Sequence, residues 1–409
     1  MMENNFEIKP FVLRNKIQHY EWGTRGEQAF IPRLLGIQSE GNRPYAELWI
    51  GAHPSAPSQV NISNDLIDLT ELIKKHPVEI LGETVFKRFG ANLPFLFKVL
   101  SAGKPLSIQA HPNKSQAVRL HRRDPIHYPD SNHKLEIAIA IDNLKALVGL
   151  LNIVELRKKL ELYPPIQSFT DRVLPGDSTI SEADETTIVK QFYSTLIRKS
   201  VGEPQLYGNL VESLAESILT RGNRISEQEQ LFLELKKCYP SSDIGLILIL
   251  LMNLVQLTSG QALNISAGIP HAYISGNIIE CMTNSDNVVR IGLTNKYKDV
   301  AALLEILDFS PNEVQVVNPD WRDGISIYRS SAEEFVVMNM KVAENFAQKI
   351  YTNDKVQIGL ILNGQLELIW NSAEKLILKK GESVLLPACI KEYVIRSQNW
   401  AEVYIASVN

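Results

Sequence analysis

Short hydrophobic runs broken by Gly, Pro, Asn and Ser turns fill the first 140 or so residues, and they predict strands. Glu47–Gly51, Phe95–Leu100 and Leu135–Ile141 are the clearest of these, with Asp65–Lys75 and Val78–Phe89 predicted as short helices between them. From about residue 150 the hydrophobic period changes to 3.6. Ile188, Val189, Phe192 and Leu196 share one helical face, as do Leu210, Val211, Leu214 and Ile218. Ser226 followed by Glu229 predicts a capping box ahead of Leu231, Phe232 and Leu235. Leu174–Ser178 predicts a turn, and the apolar run Ile244–Val255 predicts a buried helix reaching Gln256 before a stop at Ser259-Gly260. The strand pattern then returns and runs to Asn409, through Val356–Leu362, Gln365–Trp370 and Ser383–Leu386, with Gly364 and Gly381 as turn points. The order β, then α, then β predicts a mainly β chain with a helical domain inserted between β-sandwich segments.

Composition narrows the function classes. Of 409 residues, 44% are hydrophobic and 22% charged, enough apolar material for a sizeable core, which excludes disorder as the main state. The 42 Lys and Arg against 46 Asp and Glu give a net charge of −4, so the basic footprint of a nucleic-acid or membrane-surface binder is absent. Cys238, Cys281 and Cys389 are scattered and form no CxxC pair, which fits a reducing cytoplasm better than a disulfide framework. Cys281 reads as a small buried filler. The opening Met1–Pro10 is polar and carries no export signal. The longest apolar run falls short of the roughly 20 residues that cross a bilayer.

Three stretches carry candidate metal chemistry. In Lys104–Lys114 (KPLSIQAHPNK), strand alternation turns Leu106, Ile108 and Ala110 one way and Ser107, Gln109 and His111 the other. In His133–Ile137, Lys134 and Glu136 share a face opposite Leu135 and Ile137; in Gly268–Tyr273, His271 and Tyr273 share one after a Gly/Pro turn. Each alone is better read as a solvated face or an incidental histidine. Together Gln109, His111, Glu136 and His271 offer two imidazoles, a carboxylate and an amide oxygen, a set suited to Zn²⁺ or another divalent first-row metal. A fourth stretch, Glu280–Lys296, is dense in groups a sugar phosphate needs: Arg290 as a planar fork and Lys296 as a point charge.

These stretches, with Tyr20-Glu-Trp22-Gly23 and Tyr45–Pro54 (YAELWIGAHP), resemble the signatures of the type I phosphomannose isomerase family. The resemblance extends from near residue 10 to about 300. It implies cupin (jelly-roll) β-sandwiches plus an α-helical domain: 1–149 with 261–318 as catalytic cupin, 150–260 as the insertion, and 319–409 as a C-terminal cupin-like sandwich without metal ligands. It also implies a zinc-dependent, cytoplasmic isomerase of mannose 6-phosphate and fructose 6-phosphate that feeds GDP-mannose synthesis, with one Zn²⁺ per chain. Its partner is a small sugar phosphate, with no nucleic acid and no membrane; a monomer is the working expectation for its oligomeric state. Carried over by position, the zinc ligands are Gln109, His111, Glu136 and His271, and the catalytic arginine is Arg290. Pocket positions fall on Trp22, Glu47, Lys98, Ser107, Lys134, Tyr273, Glu280, Asp286 and Lys296.

Two positions depart from the family. Leu135 stands where the family carries proline, which leaves a backbone N–H at 135 that needs a partner. Thr283-Asn284 also departs slightly from a usual small residue. On this reading Arg290 and Lys134 stabilise the enediolate formed as a proton moves between C1 and C2, and Ser107, Lys98 and Lys296 hold the phosphate. Lys134, Glu280, Asp286 and a zinc-bound hydroxide are each admissible as the base. The rivals are an Fe²⁺ cupin dioxygenase, against which Gln109 and the Arg/Lys supply stand, and an inactive sugar-binding relative.

Overall fold

The computed structural model describes residues 8–171, 174, 181–311, 314, 316–371 and 374–409; most of the predicted Leu174–Ser178 turn lies outside them. The chain is mainly β, with a helical block between Ile153 and Leu251. Three antiparallel sheets carry the β part, of nine, eleven and four strands among the described residues.

The eleven-stranded sheet is organised by one long strand, His271–Thr283. Its second half pairs on one side with Phe95–Ala102 and on the other with Glu136–Ala140. Its first residues pair instead with Leu144–Leu150 and, at His271, with Gln109 of Ile108–Ala110. The change of partner coincides with Gly276 at φ +120°, where a Cβ would lie 2.6 Å from the Asn143 carbonyl oxygen. Glycine therefore lets one strand bend from one wall of the sandwich into the next. Residues at both ends of this strand thereby face one interior.

The nine-stranded sheet combines the two ends of the chain. Phe11–Arg14 lies between Ser383–Leu386 and Gln59–Ile62, with Phe11 opposite Leu385. One apolar core fills the space between the two large sheets, with Phe97, Ile139 and Ile279 from one side and Ile358, Leu360 and Leu385 from the other.

Local readings shift at element ends. Asp65–Asp68 is a strand that forms a hairpin with Gln59–Ile62, and only Leu69–Lys75 is helical. Ser63 and Asn64 both adopt positive φ, as a two-residue hairpin turn requires. Val78–Phe89 divides into Pro77–Leu81 and Glu83–Phe89 at Gly82. The Ser226 capping box forms as its sequence predicts. The apolar run is helical only over Gly245–Leu251 and continues as the strand Met252–Leu257. No helix among the described residues is long and apolar enough to cross a membrane.

Candidate metal centre and active site

His111 follows the strand Ile108–Ala110, Glu136 opens Glu136–Ala140, and His271 opens the long strand. All three are buried, and a ligand atom from each lies within 4.8 Å of the others. His111 Nδ1 lies 2.9 Å from the Asn287 carbonyl oxygen, and His271 Nδ1 lies 3.0 Å from that of Ile269. A carbonyl only accepts, so each Nδ1 carries the proton and each Nε2 presents a lone pair inward. His111 Nε2 sits 3.4 Å from Glu136 Oε1, and His271 Nε2 sits 3.3 Å from Oε2. Among the described residues His111 Nε2, Glu136 Oε2 and His271 Nε2 have no hydrogen-bond partner. Three orphaned, buried acceptor atoms aimed at one point are costly unless a cation joins them. Two nitrogens and one carboxylate oxygen fit Zn²⁺.

Burial lowers the His111 imidazole to about 4, so it is neutral and able to ligate near pH 7. Burial works to raise the Glu136 carboxyl, yet Lys134 and His111 outweigh it and hold the group well below the ordinary carboxylate range. Gln109 lies opposite His271 on one side and opposite Arg290 on the other, and it lines a cavity of about 640 Å³. Strand pairing thus brings the fourth sequence-predicted ligand opposite His271.

The cavity wall also includes Trp22, Glu47, Lys98, Ser107 and Lys134, with Asp286, Arg290 and Lys296. Lys98 sits opposite Glu280 and Trp49 in its two strand pairings. Its Nζ is 3.0 Å from Glu280 Oε2 and 3.5 Å from Glu47 Oε2. Tyr273 Oη donates to the other Glu280 oxygen at 3.1 Å, and the Trp49 indole N–H donates to Glu47. Burial opposes the Lys98 charge, but Glu280 and Glu47 raise its pKa above the usual lysine value. Burial in turn pushes the Glu280 carboxyl up, with Glu136 and Glu47 adding to it against Lys98. Tyr273 and Glu280 are not on the cavity wall; they stand behind Lys98 and fix it.

Arg290 and Lys296 make no ion pair among the described residues, and burial lowers the pKa of both. Two uncompensated cations on one wall attract an anion. Lys134 Nζ lies 3.2 Å from Glu136 Oε1, which connects the cavity wall to the ligand trio. Asp286 faces His53 Nε2 at 3.3 Å, and that contact lowers its carboxyl below the ordinary value.

Sequence reading misses several residues that shape this site. Asp130 accepts from Ser285 Oγ, the Asp286 N–H and the Asn287 amide, and so fixes the carbonyl that orients His111. A lone aspartate in a loop gives no signal of that. Tyr239 reaches the cavity from the helical block, where nothing in the helical period marks it. Trp49 and His53 lie inside a quoted motif, which is the signal that points to them.

Residues 11–152 match the family described as phosphomannose isomerase type I, catalytic domain. The chain is 33% identical to mannose-6-phosphate isomerase 2 of Arabidopsis thaliana over 97% of its own length and 93% of that protein's. It is 36% identical to the mannose-6-phosphate isomerase of Rattus norvegicus, covering 89% of this chain and 90% of that one. Among solved structures, a mutant phosphomannose isomerase of Salmonella typhimurium superposes with a TM-score of 0.85 at 28% identity, covering 98% and 99% of the two chains. A zinc-bound mannose 6-phosphate isomerase superposes with a TM-score of 0.83 at 28% identity, covering 97% and 98%. The fold is thus the cupin (jelly-roll) arrangement with a helical block that the sequence resemblance implied.

Proposed function

The chain belongs to the type I phosphomannose isomerase family, and on that premise we propose that it interconverts mannose 6-phosphate and fructose 6-phosphate with one Zn²⁺ held by Gln109, His111, Glu136 and His271. The observation that carries the reading is the trio of orphaned ligand atoms beside a cavity whose wall bears two cations without an ion pair among the described residues. A metal bound there supplies a Lewis acid that orients and polarises the substrate's oxygens.

The remaining work falls to side chains. Moving a proton between C1 and C2 of the open sugar makes an enediolate, so negative charge develops on oxygen. Arg290 sets fixed positive charge against it, and Lys134 adds to that charge where Asp286 carries the proton. Lys134 and Asp286 are the proton carriers best placed, since both line the cavity. Glu280 is less suited because Lys98 and Tyr273 engage both of its oxygens. Ser107 and Lys296 hold the phosphate; Lys98, compensated by two buried glutamates, contributes shape and field rather than a free charge. A cytoplasmic setting, supply of the GDP-mannose precursor, a monomeric state and the three-part division of the chain belong to the same proposal.

Metal analysis with turnover of mannose 6-phosphate, before and after a chelator, tests it. Zinc near one per chain and chelator-sensitive isomerisation are expected, with His111→Ala losing the metal. Arg290→Ala should keep its zinc while kcat falls about 100- to 1,000-fold. Full turnover after metal removal sinks the zinc assignment. Oxygen consumption without isomerisation would favour the iron dioxygenase.

A further inference from the structure

Asp243 belongs to the helical block, in the loop between the helices Glu227–Lys236 and Gly245–Leu251, and its side chain is buried. One carboxylate oxygen accepts two backbone N–H groups, from Gly245 and from Leu293, each at 2.8 Å. The other lies 3.3 Å from Lys298 Nζ. Gly245 is local, but Leu293 is in another part of the fold. It follows the strand Val289–Gly292, which carries Arg290, and precedes Thr294, Asn295 and Lys296 on the cavity wall.

The junction is tight. A Cβ on Gly292 would lie 2.3 Å from the Gly245 nitrogen, and one on Gly245 would lie 2.6 Å from the Leu293 nitrogen. Leu293 itself adopts φ +54°, a conformation that a residue with a side chain holds only under external constraint. The Asp243 carboxylate supplies that constraint through a charge-assisted bond to the Leu293 N–H, which is stronger than a neutral one. The bond thereby holds the chain three residues beyond Arg290.

We propose that Asp243 is a positioning residue that aligns Arg290 and the Leu293–Lys296 loop with the substrate, so that the helical block serves the reaction without touching the reacting atoms. This rests on the isomerase reading above. The alternative is a helix-end cap that contributes stability alone, and the two predict different kinetics. A cap lowers the melting temperature and leaves KM and kcat of the folded enzyme unchanged. A positioning group lowers kcat/KM while zinc content holds, through kcat where Arg290 shifts and through KM where Lys296 shifts, and no ligand of the metal trio lies on the Asp243 junction.

The test is steady-state kinetics on mannose 6-phosphate with the zinc-loaded full chain, alongside zinc content and melting temperature, for Asp243→Ala, Asp243→Asn and Arg290→Ala. Asp243→Ala should lower kcat/KM about tenfold or more, since small misplacements of substrate-facing groups have effects of that order or larger. Asp243→Asn keeps an acceptor oxygen but loses the charge, so it should rescue most of the loss and leave kcat/KM lowered about threefold. Wild-type kcat and KM in both aspartate variants overturn the proposal, whatever happens to the melting temperature, and so does a parallel loss of zinc. Should Asp243→Ala not fold, Asp243→Asn decides by the same criterion. Normal turnover in Arg290→Ala would instead remove the isomerase role of this wall, an outcome separate from a wild-type Asp243 variant.

Discussion

Leu135 replaces a proline of the family motif, and the N–H this creates donates to Thr283 Oγ1 at 3.1 Å. The same hydroxyl donates to the His133 carbonyl oxygen at 2.7 Å, so one threonine holds the backbone on both sides of Lys134. The two departures from the family meet directly, since the Thr283 N–H also donates to the Leu135 carbonyl oxygen at 3.0 Å, and the need for a partner at 135 was legible in the sequence while its identity was not. Thr283 lies 148 residues from Leu135, and no local pattern connects them. Thr283→Val keeps the shape and removes the acceptor. It should cost about 1–3 kcal/mol, the usual penalty for a donor left without a partner. Thr283→Ser should restore most of it. Urea denaturation of the three proteins decides, and equal midpoints for the valine variant and the wild type would show that water replaces the hydroxyl without loss.

Strand pairing, rather than any one side chain, makes the buried charge cluster possible. Lys98 of Phe95–Ala102 stands opposite Glu280 of His271–Thr283, so register alone brings ammonium and carboxylate together. Lys98→Met leaves Glu280 and Glu47 buried without their cation, and should cost about 3–5 kcal/mol near neutral pH. The sign with pH follows. In that variant Glu280 titrates higher folded than unfolded, so the native state binds the extra proton and stability falls as pH rises through its folded pKa. Acidification should therefore narrow the gap between variant and wild type, read as the difference in unfolding free energy at pH 5 and pH 8. A gap of equal size at both would mean that the carboxylates find other partners. At this scale the sequence was readable where the period was clean, as in the helix Glu182–Gly202. It was not readable through Gly245–Leu257, because an unbroken apolar run has no period to distinguish helix from strand.

Over the whole molecule, the three-part division drawn from the β, α, β order leaves out a connection that only the folded chain reveals. Phe11–Arg14 completes a sheet whose other members are mostly C-terminal, and Asn15 donates to Ser383 Oγ at 2.7 Å across that junction. Pairing between opposite ends of a chain leaves no mark in local hydrophobic pattern, which is why the sequence shows the sandwiches but not how they share a sheet. The metal site could be read better than the topology, since its ligands come in short motifs with strand alternation and each motif is local. The C-terminal sheet reaches toward that site: His133, beside Lys134, contacts Glu334 at 2.8 Å. Removing residues 1–15 should then act at two places at once. It deletes the strand between Ser383–Leu386 and Gln59–Ile62, exposing as a free edge a strand that is buried along its whole length. It also opens the shared core at Phe11 and Leu13. The expected result is a lower melting temperature with concentration-dependent association, seen by light scattering, and a partial loss of turnover in protein that stays monomeric. The segment 319–409 expressed alone lacks all three N-terminal strands of that sheet and should not fold as a monomer by circular dichroism and gel filtration. A cooperative, monomeric 319–409 would mean that the C-terminal sandwich closes its own edge and that the shared sheet is an accessory to it, not its foundation.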